Sequence, residues 1–257
     1  MTTGIGGAVL LAGAGVLAGT VGTAGGTTSL ISYPALLMAG LTPLAAAEAN
    51  LVAALATWPG AALASRPELA GQARWLRRWI PLACAGGAAG AALLLSTPAS
   101  VFGRIVPFLV AAGSVALLAQ PWLAARLDRG NDAAPTTLRR LTPAVGLALL
   151  SAYNGYFGAG SGVLLLALLM VTGIPHLPTA NAVKNMLVGA ATVVPAGIYA
   201  VHGPVAWTAA AGLGAGMFVG SALGPALTRR VPADLTRRTV ALVGLGLACR
   251  LWWQPGG

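Results

Sequence analysis

The chain is 257 residues long, 57% hydrophobic and 8% charged, with a mean hydropathy of +0.81. A soluble domain carries about a quarter charged residues, so this chain cannot clothe a water-facing surface and reads as an all-α integral membrane protein. Its formal charge of +10 and pI near 11.3 come from basic residues gathered between apolar runs, without an aromatic-rich basic patch, which points to membrane topology and away from nucleic acid.

The N-terminal stretch "MTTGIGGAVLLAGAGVLAGT" has the apolar run of a signal peptide but no basic n-region, so it is expected to stay in the mature protein. Apolar runs then follow at Ile5–Val21, Leu30–Leu41, Ala45–Ala64, Trp79–Leu95, Val101–Leu123, Leu141–Tyr156, Val163–Thr172, Thr179–Val201, Val205–Leu227 and Val240–Trp253. A helix needs about 20 residues to span a bilayer, so Leu30–Leu41 and Val163–Thr172 are too short. Each follows a Gly-rich break, one holding Gly22, Gly25 and Gly26, the other Gly158, Gly160 and Gly162. The breaks lie about half the chain apart, the signature of one unit written twice. The reading is two inverted repeats, each a broken or re-entrant helix pair followed by three transmembrane helices. The first repeat covers residues 1–125, a cytoplasmic linker "RLDRGNDAAPTTLRR" covers 126–140, and the second repeat covers 141–257.

Arginine placement gives the inversion. Arg66, Arg74, Arg77 and Arg78 follow the third run, Arg126, Arg129, Arg139 and Arg140 follow the fifth, and Arg229, Arg230, Arg237 and Arg238 lie between the last two. If each helix pair makes no net crossing, all of these fall on one face, leaving Arg104 and Arg250 opposite. The positive-inside rule makes that face cytoplasmic and puts both termini outside. Trp75, Trp79 and Trp122 then fit an inner aromatic belt, and Trp207, Trp252 and Trp253 an outer one.

Few polar residues remain inside. Glu48 is the acid that opens a membrane segment, and Lys184, the chain's lysine, sits within another. Overlaying the halves by Asn50 and Asn185 pairs Ala49 with Lys184 and leaves Glu48 one residue away, so symmetry is expected to bring both charges near one axis. A charge at membrane depth is costly unless paired or in a wet cavity; Lys184 is thus read as an anion contact and Glu48 as a proton or cation coupler, against a structural ion pair or snorkelling from helix ends. The short helices open with Thr27, Thr28 and Ser29 beside Gly26, and with Ser161 and Gly162 beside Gly160, presenting unpaired N–H groups and a positive dipole end suited to an oxyanion. Asn181, Asn154, Ser32, Tyr33, Tyr156 and Tyr199 add polar contacts, as substrate ligands or as hydrogen bonds between helices. His176 and His202 are weaker candidates for proton coupling, Trp58 reads as packing or gate, and Cys84 and Cys249 as buried structural thiols.

In the first half "TSLISYPALLMAGLTPLAAAEANLV", and in the second "YFGAGSGVLLLALLMVTGIPHLPTANAVKNMLVG", "HGPVAW" and "GSALGPALTRRVPADLTRR", make the chain resemble the TauE/SafE sulfite exporter family over nearly its whole length. The "NAVKN" segment, with Asn181, Lys184 and Asn185, resembles a recurring second-half pattern of that family closely. It departs at "GTAGGTT", where relatives carry a tighter Gly cluster, and at "AAAEAN", where a Thr-Ala-Asn stretch is frequent. The resemblance implies a secondary transporter, in members an exporter, of sulfite, thiosulfate, sulfoacetate or related organosulfur anions across the bacterial inner membrane. Partners are then the lipid bilayer and a small anionic substrate, with no cofactor, no metal and no enzyme activity expected; monomer and homo-oligomer both fit.

The site residues under that reading are Lys184, Asn185, Asn181, Asn50, Ser29, Thr28, Gly26, Gly160, Ser161, Gly162, Tyr33 and Tyr156, with Glu48 as coupling residue. The chain carries no P-loop, so an ion gradient, the membrane potential or the anion's own gradient would drive it. Competing readings are a transporter of a cation or neutral metabolite with Glu48 as main ligand, an intramembrane enzyme using Ser161 and Lys184, and an assembly subunit.

Overall fold

The computed structural model describes residues 5–133, 136–174, 176–203, 205–228 and 233–253, and within these every regular element is a helix. The first half holds α1 (Ile5–Gly25), α2 (Thr28–Met38), α3 (Pro43–Ala54), α4 (Thr57–Ala64), α5 (Arg66–Leu69), α6 (Ala73–Ser96) and α7 (Ala99–Ala133). The second holds α8 (Thr136–Tyr156), α9 (Ser161–Thr172), α10 (Leu177–His202), α11 (Trp207–Thr228) and α12 (Ala233–Trp253). Gly7–Gly25, Ala73–Ser96, Ala99–Ala119 and Leu177–His202 are long and apolar enough to cross a membrane. By contrast α2 and α9 have 11 and 12 residues, which at 1.5 Å each reach about half of a hydrocarbon core.

Chain punctuation fixes where the short helices stop. At the end of α2, Gly40 donates to Leu37 O at 3.0 Å and Leu41 to Leu36 O at 3.2 Å, a Schellman ending that satisfies the last carbonyls. Thr42 then caps α3 through its hydroxyl, which accepts from Ala45 N at 3.4 Å, with Pro43 in the first turn where its missing N–H does no harm. The end of α9 repeats the pattern, with Ile174 donating to Leu169 O at 3.0 Å after Gly173.

Three sequence expectations are corrected. The run Ala45–Ala64 is not one helix but α3 and α4, broken at Leu55 and Ala56. Pro59 has no N–H for the carbonyl four residues back and its ring crowds that carbonyl; the Leu55 carbonyl instead takes the Trp58 N–H, at 3.2 Å. Arginines expected in connections ride on helices: Arg74, Arg77 and Arg78 on α6, Arg126 and Arg129 on α7, Arg139 and Arg140 on α8, Arg237 and Arg238 on α12. Arginine is a good helix former, so these helices run on past their apolar stretches; Arg229 and Arg230 lie outside the described residues. Of the cysteines, Cys84 is half-buried and Cys249 is exposed. Trp207, Trp252 and Trp253 are exposed, and Trp252 packs edge-on to Phe108 at 4.9 Å.

The two halves exchange neighbours. α1 packs on α11 and α8 on α6; α3 and α4 pack on α11 and α10 on α6; α2 meets α12 and α9 meets α7, while α7 meets α12 and α3 meets α10. Matching α1 with α8, α2 with α9, α3–α4 with α10, α6 with α11 and α7 with α12 turns each contact into another on this list, the pattern of two equivalent units. Small residues let the backbones close up: a Cβ on Gly19 would strike Met217 O, and one on Gly220 would strike Val16 O. That reciprocal small-xxx-small packing is how helices associate where lipid supplies no hydrophobic drive between them.

Candidate functional site

The two Gly-rich breaks touch. Between α1 and α2 the chain turns through Gly26, at φ +79, and Thr27; between α8 and α9 it turns through Phe157–Gly160, with Gly158 at φ +81 and Gly160 at φ +77. A left-handed φ is nearly free for glycine and costly for other residues. A Cβ on Gly26 would lie 2.5 Å from Gly162 C and 2.6 Å from Val163 N, so the backbones of the two halves meet here with no room for a side chain.

Around this contact lies a cavity of about 550 Å³ of space between atoms, part of it open to the outside. From the first half come Gly22, Thr23, Gly26, Thr28 and Ser29; from the second come Asn154, Ser161, Lys184, Asn185 and Thr192. Lys184 is the one charged side chain among the described residues lining it, and it is 1% exposed.

Each wall has its own polar scaffold. On α10, Asn181, Lys184 and Asn185 fall at i, i+3 and i+4 and so share a face. Asn181 Nδ2 and Asn185 Nδ2 donate to Thr23 O at 3.0 and 3.1 Å, and Lys184 Nζ donates to Asn181 Oδ1 at 2.8 Å and, more weakly, to Thr23 O at 3.4 Å. Thr23 lies in the last turn of α1, where carbonyls lack partners and carry the negative end of the helix dipole. Lysine has three donors, so one is left for a ligand.

Asn50 holds the first short helix: its Nδ2 donates to Ser29 Oγ at 3.0 Å, and its Oδ1 accepts from Ser32 Oγ at 2.5 Å. The second short helix is held differently. Ser161 Oγ stands 2.9 Å from both Asn154 Oδ1 and Gly158 O, and its single hydrogen serves one at a time; Asn154 Nδ2 donates to Thr192 Oγ1 at 3.0 Å. Neither α2 nor α9 has a side-chain cap, and Thr27, at the N-cap of α2, keeps a buried hydroxyl oxygen without a partner. At these starts Ser161 N–H donates to Gly158 O at 3.2 Å, Val163 N–H to Gly160 O at 3.1 Å and Leu30 N–H to Thr27 O at 3.1 Å, which leaves the amides of Thr28, Ser29 and Gly162 without a carbonyl one turn back; Thr28, Ser29 and Gly162 line the cavity. The combination of buried ammonium, hydroxyls and two uncapped helix starts suits a small anion with several oxygens.

The sequence-expected residues divide accordingly. Lys184, Asn185, Ser29, Thr28, Gly26, Ser161 and Gly162 line the cavity. Asn181 and Asn50 stand behind it as supports for Lys184 and Ser29. Gly160 caps α9 and packs against Gly113. Tyr33 and Tyr156 are not in the lining: Tyr33 packs edge-on to Phe157 at 5.1 Å, bracing the second break, and Tyr156 packs on Phe102 at 5.9 Å. Trp58 packs on Gly189.

Glu48 and Lys184 are not brought together. The Glu48 carboxylate lies beside Gly203, just past α10, about 28 Å along that helix from Lys184. Ser161 and Lys184 are each hydrogen-bonded elsewhere, not to one another. Thr23, Thr57 and Thr192 went unrecognised in the sequence; Asn185, Val188 and Thr192 recur at i, i+3 and i+7, and this helical spacing was the available signal.

An unpartnered hydroxyl gives the site a simple check. Thr27→Val removes a buried oxygen that has no partner while keeping the branched shape, so stability in detergent is expected to stay within about 0.5 kcal/mol or rise. A loss well above that in chemical unfolding would reveal a hydrogen bond at Thr27.

Residues 11–251 match the sequence profile of the family described as sulfite exporter TauE/SafE. A probable membrane transporter protein, ORF9, from Sinorhizobium sp is 27% identical over 247 residues, covering 94% of this chain and 91% of the relative. A probable membrane transporter protein from Haemophilus influenzae is 27% identical over 252 residues, covering 94% and 93%. No solved structure matches the chain. With the profile spanning nearly all of its helices, the chain belongs to the TauE/SafE sulfite exporter family of multi-pass membrane transporters.

Proposed function

We propose that the protein is a secondary transporter, working as an exporter, that moves a small sulfur oxyanion such as sulfite or an organosulfonate across the bacterial inner membrane. The anion would bind in the cavity at the Gly26–Gly162 contact and be exposed to each side in turn as the two repeats rock against each other. One observation carries the reading: the cavity's only charge among the described residues is the ammonium of Lys184, and two uncapped helix starts face the same space. The separation of Glu48 from this cavity favours an anion over a cation held by Glu48.

The repeats are proposed to be inverted, residues 1–125 against 141–257, with the linker 126–140 and the arginine clusters in the cytoplasm and both termini outside. The exchanged helix neighbours support two equivalent units, and the arginine placement supports their opposite orientation. The Ser161 and Lys184 partners leave neither group poised on the other, which favours transport over hydrolysis.

The test is purified protein in liposomes, with charge movement and labelled uptake recorded for sulfite, thiosulfate, sulfate, sulfoacetate and chloride. Saturable uptake of sulfite or sulfoacetate, competed by unlabelled anion, is expected. Silence for every anion in both recordings would refute the reading.

A further inference from the structure

Glu48 takes no part in the cavity, yet its position is specific. It is 1% exposed on α3, and its Oε2 is buried with no hydrogen-bond partner. Glu48 Oε2 lies 3.0 Å, and the carbonyl oxygen of Tyr199 2.9 Å, from the point a Cβ on Gly203 would occupy. Gly203 caps the C-terminus of α10, and its N–H already serves that Tyr199 carbonyl at 2.8 Å. A helix C-terminus presents carbonyls and the negative end of the dipole. A bare carboxylate there would face like-signed partial charge, shielded from water; a carboxylic acid could instead donate its O–H to a last-turn carbonyl.

Among the described residues, the surrounding elements supply no neutralising cation at hydrogen-bond distance. On α10, Tyr199 lies within electrostatic reach of Glu48 and donates its hydroxyl to Gly155 O at 2.7 Å. His202 on the same helix is exposed, its Nδ1 3.2 Å from Ile198 O. On α2, Tyr33 gives its hydroxyl to Pro43 O at 3.3 Å. On α7, Arg104 is exposed, and on α8, Tyr156 packs on Phe102 at 5.9 Å. The packed helices α4 and α11 carry no titratable side chain.

We propose that Glu48 is a proton-binding site, separate from the anion cavity, where α3 meets the C-terminus of α10. In the arrangement described here the carboxyl holds its proton beside the last-turn carbonyls of α10. When that end of α10 parts from α3, water enters, the O–H bond ionises, and the proton passes to the solution on that side. Lys184 and Glu48 sit toward opposite ends of α10, so this one helix links the anion's side of the cycle to the proton's. The coupling, though not the proton site itself, rests on the transport reading above.

The experiment uses the full chain in lipid. Infrared difference spectra across neutral pH should contain the C=O stretch of a protonated carboxylic acid that Glu48→Gln removes. In the same vesicles, Glu48→Gln should keep exchange of labelled for unlabelled sulfite but lose accumulation driven by an imposed pH gradient. A wild-type protein without that band, or a variant that retains it, overturns the proton site, and this readout needs no substrate. PH-driven accumulation that survives Glu48→Gln overturns the coupling. If neither protein moves sulfite, the transport reading has failed and the infrared band still decides the site.

Discussion

Liposomes bearing Lys184→Gln are expected to take up labelled sulfite with kcat/KM lowered about 30-fold or more, while the protein unfolds no more easily than wild type. The first half follows from removing the one charged group that the described residues bring to the cavity. Losing a buried charged contact to an oppositely charged ligand costs about 2–5 kcal/mol, and about 1.4 kcal/mol is tenfold. The second half follows from the scaffold. Thr23 O keeps its bonds from Asn181 and Asn185 at 3.0 and 3.1 Å, and an ammonium that is 1% exposed, with no carboxylate beside it among the described residues, is a burden on folding that glutamine does not share. The deciding measurement is uptake and unfolding on the same preparation. Equal loss of both would assign Lys184 to the fold; unchanged uptake would remove it from the anion's path.

Gly26→Ala should be among the most damaging single-methyl changes in the protein. At φ +79 an alanine is strained by about 1–3 kcal/mol, and a methyl 2.5 Å from Gly162 C has only backbone to push against, adding about 1–3 kcal/mol of overpacking. A combined loss of about 3 kcal/mol or more is expected in chemical unfolding, with uptake lost even in molecules that fold, because the two breaks are forced apart. The neighbouring Gly25→Ala is the control: nothing lies within 4 Å of its Cβ position, and alanine is the better helix former, so stability is expected to hold. Equal tolerance of both would contradict the backbone contact.

The two short helices and the breaks before them were legible in the sequence because their causes are local: glycine clusters, and apolar runs too short to span. So was the polar face of α10, since Asn181, Lys184 and Asn185 follow helical spacing. The break at Leu55 was not, although Pro59 marks it, because a continuous apolar run from Ala45 to Ala64 carries the stronger signal of a span. Glu48 was misplaced relative to Lys184 for a geometric reason. Overlaying the halves makes Ala49 the equivalent of Lys184, but equivalent positions meet only where both lie at the symmetry axis; Glu48, next to Ala49, stands beside Gly203 at the far end of α10, so this pair lies away from the axis. The two scaffolds around the cavity could not be read either: Asn185 reaches across to Thr23 where a strict repeat would reach for Ser161, and Asn154 takes that second role.

The unequal furnishing of two matched halves has a consequence for the origin of such a molecule. An assembly of two identical half-length chains must present each central side chain twice or not at all, so its axis holds an even number of ammonium groups. Once the copies are joined in one polypeptide, a single position can diverge, as with Ala49 in one half and Lys184 in the other. Fusion is thus the step that permits an odd number of charges at the centre.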